Sequence, residues 1–346
     1  MKDVKDTKNS KMKEIVVTPE MYKENHIIAF YKKRYIFFII SVSIMLIGVI
    51  MAFVDGVKLD IQFTGGAMLK YTYVGEIDED AAGDFAGSQL DRPVSTQLVE
   101  DIASGEKKLV FNIAGNYGMN VEDQDNFNSE LKKAFPDSEL KLSESSMVEP
   151  FFGKKFLKNG IISILLAGVL VLLYVWIRFK MMGGLSAGIT ALIALLHDCL
   201  IVFFTCVIFK IPIGESFVAV VLSIIGYSIN DTIVIYDRIR ENAKQYIGYP
   251  VEVVTDLSIS QSMMRSINTN VAVMISVSLV YILAFANSIS SIQSFALPMA
   301  VGSISGCYST ICIAGPLWVM WKKRKASSIL FEEPKKKVNT YKPTSF

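Results

Sequence analysis

Six stretches of this chain are each long and apolar enough to cross a bilayer, which removes most folds from consideration. They fall near residues 35–54, 157–177, 183–208, 214–236, 268–286 and 294–321. A hydrocarbon core of about 30 Å takes about 20 helical residues. With no water at that depth, a spanning segment must satisfy its own backbone, so an α-helical bundle is expected. The composition agrees, with 51% hydrophobic residues, 20% charged residues and a mean hydropathy of +0.40. The first run is preceded by a polar tail, residues 1–34, and is too long for the apolar core of a cleavable signal. Cys199, Cys206, Cys307 and Cys312 all lie in apolar runs without a CxxC pair, so neither a disulfide framework nor a metal site is expected. No phosphate-binding glycine motif is present, and no cofactor or nucleic-acid partner is implied.

Short-loop charges predict the orientation. Lys32, Lys33 and Arg34 precede the first run, Arg178 and Lys180 follow the second, Arg238, Arg240 and Lys244 follow the fourth, and Lys322, Lys323, Arg324 and Lys325 follow the sixth. The loop after the third run holds only Lys210, and that after the fifth holds no Lys or Arg. By the positive-inside rule both termini are expected in the cytoplasm. The basic, proline-bearing tail 322–346 is expected near anionic lipid.

Residues 55–155 then form an extracytoplasmic domain, with 19 Asp/Glu against 10 Lys/Arg. The patterns predict strands at 68–74, 94–99, 108–114 and 139–148, a turn at Ser104-Gly105-Glu106, and helices at 78–90 and 120–135. Val121, Phe127, Leu131 and Phe135 should face inward. This βαββαβ order is ferredoxin-like. The expected fold is an α-helical membrane protein with six transmembrane helices, a first span at 35–54 and a five-helix remainder at 156–321, plus this small α+β domain. The acidic surface is either a solvated face or a contact for positively charged unfolded segments.

Asp231 lies inside the fourth run, where a charge costs roughly 2.5–3.5 kcal/mol, so it is a functional candidate. Ser223, Tyr227, Asn230 and Asp231 recur at helical spacing on one face, directed at protein or water rather than lipid. Arg265, Asn268, Thr269 and Ser276 do the same entering the fifth run. His197 and Asp198 sit mid-way along the third, with Thr190 a heptad earlier. Such groups suit a protonation cycle: an acid, a cation that pairs with it in one state, and hydroxyls between. The plainer readings are a static Asp231–Arg265 pair, a packing histidine and a structural carboxylate at Asp198, which need share no partner with His197. Gly184/Gly188 and Gly302/Gly306 are GxxxG steps that let helices approach, within the bundle or toward a partner.

The run from Ile225 to Asn242 (Ile225-Gly226-Tyr227-Ser228-Ile229-Asn230-Asp231-Thr232, then Asp237-Arg238-Ile239-Arg240-Glu241-Asn242) resembles the SecF family pattern IGYSxNDTxVxxDRIREN. Gln261, Arg265, Ser266, Ile267, Asn268 and Thr269 are similar to its QTLxRSINT, His197-Asp198 to its HD, and Phe63-Thr64-Gly65-Gly66 to the end of its GxDFTGG box. In that box Gln62 replaces the family's Asp and Asp60 its first Gly, leaving the turn at Gly65 and Gly66 intact. The resemblance implies an RND-superfamily subunit of the bacterial cytoplasmic membrane that works with a six-span SecD partner beside the Sec translocation channel. It implies coupling to H+ or Na+ flow, and extracytoplasmic domains that hold unfolded preprotein. It assigns Asp231 as the titrating acid and Arg265 as its counter-charge, with Asn230, Tyr227 and Asn268 as hydrogen-bonding neighbours and His197 and Asp198 as further ion-route candidates.

The expectation is a non-enzymatic accessory subunit of preprotein export. An RND-type exporter of small molecules or lipids, or a passive scaffold for the channel, are the alternatives.

Overall fold

The computed structural model describes residues 27–324 apart from 55, 61–62, 64, 93, 101–105, 115–120, 149 and 288. The expected turn at Ser104-Gly105, both tails beyond these limits, and Gln62 and Thr64 of the glycine box lie outside the described residues. Six described helices are long and apolar enough to cross a membrane, and a small four-stranded domain is inserted after the first.

Helix α1 (Arg34–Val54) leads into strand β1 (Gly66–Tyr73), α2 (Glu79–Leu90), β2 (Val94–Glu100), β3 (Lys107–Ala114), α3 (Val121–Ala134) and β4 (Lys141–Val148). The sheet is antiparallel in the order β2-β3-β1-β4, the ferredoxin-like order. Alternation explains its one-sided core. Ala67, Leu69 and Tyr71 of β1 and Leu109, Phe111 and Ile113 of β3 point to one face, where Ala82 and Ala86 of α2 and Phe127 and Leu131 of α3 cover them. Lys70, on the opposite face, pairs with Glu144 across the β1–β4 register at 2.7 Å. Asp78 caps α2, accepting from the backbone N–H groups of Asp80 and Ala81 at 3.0 and 3.3 Å. Strand β4 begins two residues later than expected, because a 3-10 turn at Pro136–Ser138 and a left-handed Glu139 (φ 41°) intervene.

The glycine box attaches this domain to the bundle. Phe63 is buried with Cys206 and Ile213. Leu59 bridges to Ile213 in the loop between the third and fourth spans. Gly65 and Gly66 then take φ values of 73° and 137°, turning the chain into β1. A Cβ on Gly153 would sit 2.8 Å from the Gly65 nitrogen, so the second span also needs a bare backbone at this junction.

The remaining spans are α4 (Pro150–Arg178), α5 (Gly184–Ile208), α6 (Glu215–Gln245), α7 (Val251–Ala286) and α8 (Ser290–Ser309), the last continued by a π-helical turn (Thr310–Ala314) and α9 (Gly315–Arg324). Helices α5, α6 and α8 form the centre of the bundle, while α1, α4 and α7 present apolar side chains outward. Small residues set the close contacts. A Cβ on Gly184 would collide with the Trp176 carbonyl oxygen, and one on Gly188 would be 2.7 Å from Leu172, so this GxxxG step faces α4. Gly302 faces Val202 and Ile224, and Gly306 faces Ser228.

The fifth span differs most from expectation. Its helix starts at Val251 rather than near 268. Residues 251–267 are rich in Ser, Thr and charged groups, which ends the apolar run, yet the helix continues because a protein surface takes those groups. Asn242 donates to Ser258 Oγ and Gln261 Oε1, both at 2.9 Å. Arg238 donates to the same Gln261 oxygen at 2.7 Å, and Asp256 accepts from the Tyr31 backbone N–H at 3.0 Å. Asp237 holds Arg178 at 3.0 Å and Arg240 at 2.8 Å, so the charges following span four brace neighbouring elements.

Two outcomes test this packing. Phe111→Ala should destabilise the α/β domain by about 3–5 kcal/mol, read by urea-dependent proteolysis of the full chain. Burial pushes the Tyr71 phenol up. A raised folded-state value means the stabilisation is complete below the ordinary tyrosine value of about 10 and is lost as pH rises through the folded one. Ultraviolet titration should therefore show one tyrosine that ionises only as the domain unfolds at high pH.

Candidate functional site

The polar residues of the bundle fall into two groups on either side of α8. The first surrounds Asp198, midway along α5 and wholly buried (0% exposed). Its Oδ1 accepts from Ser305 Oγ at 2.6 Å, and its Oδ2 accepts from Ser228 Oγ at 2.8 Å and Ser309 Oγ at 2.7 Å. Ser305 and Ser309 are one turn apart on α8, and Ser228 comes from α6. His197 Nδ1 lies 3.1 Å from Asp198 Oδ1 and 3.4 Å from Ser305 Oγ. The two residues thus share Ser305, although side chains about 100° apart on a helix need share no partner. His197 Nε2 is buried without a hydrogen bond. Next to this group Thr232 and Thr310 share a hydrogen bond at 3.0 Å where the π turn begins. Thr190 bonds instead to Tyr236, at 2.9 Å, farther along the bundle.

The second group surrounds Asp231 on α6, 4% exposed. One of its oxygens, Oδ2, is buried and makes no hydrogen bond; so is the hydroxyl of Ser266 on α7. Arg265 and Ser266 are the α7 groups close enough to act on this carboxyl, and Cys307 of α8 also lies within its electrostatic reach. No ion pair joins Asp231 to Arg265 among the described residues. Asn270 of α7 ties the layer together, donating to the Ser303 carbonyl at 2.6 Å and to Tyr227 Oη at 3.3 Å.

The expected polar face of span four is divided. Asp231 turns into the bundle and Tyr227 is half-buried, whereas Ser223 and Asn230 are exposed on its outer surface. Consecutive residues point about 100° apart, so one side chain of the Asn230-Asp231 pair has to face away. Arg265, Asn268, Thr269 and Ser276 of α7 are exposed as well. In a bilayer these groups are costly against lipid and well suited to another polar helix surface.

Ser228, Ser305, Ser309, Ser266 and Asn270 are the members sequence reasoning missed. A serine in an apolar helix is common and carries little signal alone. The available clue was Asp198 itself: a carboxylate at that depth needs donors, and Ser305 and Ser309 at a four-residue spacing on another span supply them.

The comparisons with known proteins give the family of the chain. The family described as "Protein export membrane protein SecD/SecF, C-terminal" matches residues 127–324. The Protein translocase subunit SecF of Alicyclobacillus acidocaldarius is 31% identical over 293 residues, covering 83% of this chain and 91% of that protein. The chain belongs to the SecF family. SecF-like sequence also occurs within longer proteins: the SecDF subunit of Bacillus subtilis is 33% identical over 302 residues, of which this chain spans only 38%. The solved structure of SecDF from Thermus thermophilus, described as a translocon-associated membrane protein, shares the fold with a TM-score of 0.71 at 24% identity. That match covers 86% of this chain and 39% of the SecDF chain. The chain is thus a multi-pass membrane protein of the SecF family, and it spans less than half the length of its SecDF relatives.

Replacing Asn270 by Leu should cost about 0.5–1.5 kcal/mol by removing its hydrogen bonds to the Ser303 carbonyl, which keeps its helical donor, and to Tyr227, read as a lower thermal midpoint of the full chain in detergent with unchanged insertion.

Proposed function

We propose that this protein is a non-enzymatic accessory subunit of the Sec preprotein export machinery, driven by the movement of H+ or Na+ through Asp231. The observation that carries this reading is the buried Oδ2 of Asp231, which has the Ser266 hydroxyl close by but no well-formed hydrogen bond, beside Arg265 with no ion pair closed between them. A finished structural carboxylate would have its donors, as Asp198 does. An acid that exchanges an ion needs an open valence and a counter-charge within reach. The gradient provides about 2.3 kcal/mol per charge per 100 mV, and 1.4 kcal/mol already changes a two-state equilibrium tenfold.

The partner is a SecD-like six-span subunit, supported by the SecDF relatives in which both halves form one chain. Its docking surface is the exposed stripe of Ser223, Asn230, Arg265, Asn268 and Thr269. The basic loops after spans two, four and six orient both termini to the cytoplasm of a bacterial plasma membrane, with the α/β domain outside. There it contacts the unfolded preprotein emerging from the channel. The exporter alternative requires an apolar pocket in this domain. The cavity at the end of β1, about 340 Å³, is open and lined by Glu106, Lys107, Glu139 and Lys141, which does not favour it.

Asp231→Asn should abolish the gradient-dependent part of preprotein export into proteoliposomes while leaving insertion and partner assembly intact. Normal gradient-driven export by that variant would overturn the reading. Exchanging the charges (Asp231→Arg with Arg265→Asp) separates a motor from a scaffold: a titrating pair stays inactive when exchanged, and a static brace recovers.

A further inference from the structure

Asp198 is the best-satisfied carboxylate in the bundle, and its location is specific. Its three serine donors come from α6 and α8, the two helices that, with α7, enclose Asp231. Ser228 lies one helical turn before Asp231. Ser305 and Ser309 bracket the turn of α8 that carries Cys307, which stands beside Asp231. Gly306, between the two serines, brings the α8 backbone against Ser228, where a Cβ would be 3.1 Å from the serine Cβ. Immediately afterwards the helix loosens into the π turn at Thr310–Ala314. One side chain thus fixes α8 against α5 and α6 at the only described π turn in the chain, within a turn of the proposed ion-carrying acid.

We propose that Asp198 is a positioning residue for the ion-driven cycle: a fixed clamp that holds α8 in register against α6 and thereby keeps the α8 side chains packed beside Asp231 in place. Asp198 does not itself exchange the ion. Both of its oxygens are engaged by short hydroxyl bonds from two helices, so a visiting cation or proton would have to displace several donors at once. Among the described residues, the groups that act on Asp231 are Arg265 and Ser266 of α7, Tyr227 of its own helix and Cys307 of α8. The charged and titratable groups against Asp198 are His197 and Cys199 of its own helix. Loosening the clamp lets α8 slide on α6 and changes how far Asp231 is shielded, and with it the pH at which Asp231 takes up a proton.

The inference rests on Asp231 as the exchanging acid, and the experiment keeps the two apart. Dicyclohexylcarbodiimide labels protonated carboxyls in apolar surroundings. Its rate at Asp231, read by mass spectrometry across a pH series, reports the protonation of that residue in the full chain reconstituted with its membrane partner. Wild type, Asp198→Asn and the double variant Ser305→Ala/Ser309→Ala are compared. Both variants should move the Asp231 labelling midpoint in the same direction by one pH unit or more, and lower gradient-driven export at least tenfold. The serine pair decides the question where Asp198→Asn does not insert. An unmoved midpoint in the variants overturns the clamp, as does pH-dependent labelling of Asp198 in the wild type, which would make it a carrier. A flat Asp231 profile in the wild type instead removes the exchange reading and the inference with it.

Discussion

A carboxylate taken below the surface of a bilayer loses its water and has to be answered by the protein. The bundle holds two such groups and treats them oppositely. Asp198 accepts from three serines and adjoins an imidazole; Asp231 keeps an oxygen that has the Ser266 hydroxyl nearby but no well-formed hydrogen bond. The contrast depends on helix α8, which reaches both. Its glycines allow the approach to α5 and α6, its serines complete one carboxylate, and Cys307 closes a side of the other. Substituting the donors alone would leave a buried charge uncompensated, a far larger cost than any surface ion pair supplies.

The same logic organises the surface. The spanning parts of α1 and α4 present apolar side chains outward, as lipid requires, whereas α6 and α7 also expose polar ones, Asn230 and Arg265 among them. Polar side chains in such a position are costly against lipid, which is why the proposed partner surface is placed there. The α/β domain is joined to this machinery through few residues: Phe63 buried among span residues, one bridge at Leu59, and the glycine turn at Gly65 and Gly66.

Much of this was legible in the residues. The βαββαβ order could be read because strands such as β3 alternate strictly and α2 carries its Asp78 cap. Spans one and three were bounded to within a residue or so by the sharp change from apolar to polar. The failures have physical causes. The first half of α7 escaped because a helix packed on protein at the membrane edge keeps the polar residues that hydropathy treats as an end. The separation of Asn230 from Asp231 followed from helical geometry, and only the neighbouring helices determine which of the two faces inward. The donors of Asp198 were hidden because serine is unremarkable in an apolar span until a carboxylate is placed opposite it.

The central claim is that Asp231 changes its protonation or its bound ion in response to the gradient. Isotope-edited infrared spectroscopy of the aspartate carboxyl in oriented proteoliposomes, with Asp231→Asn to assign the band, tests it most directly. The account requires the Asp231 band to move between carboxyl and carboxylate, or between carboxylate and a cation-bound form, when a gradient is imposed and then collapsed. A band that stays in one position under every gradient would contradict it.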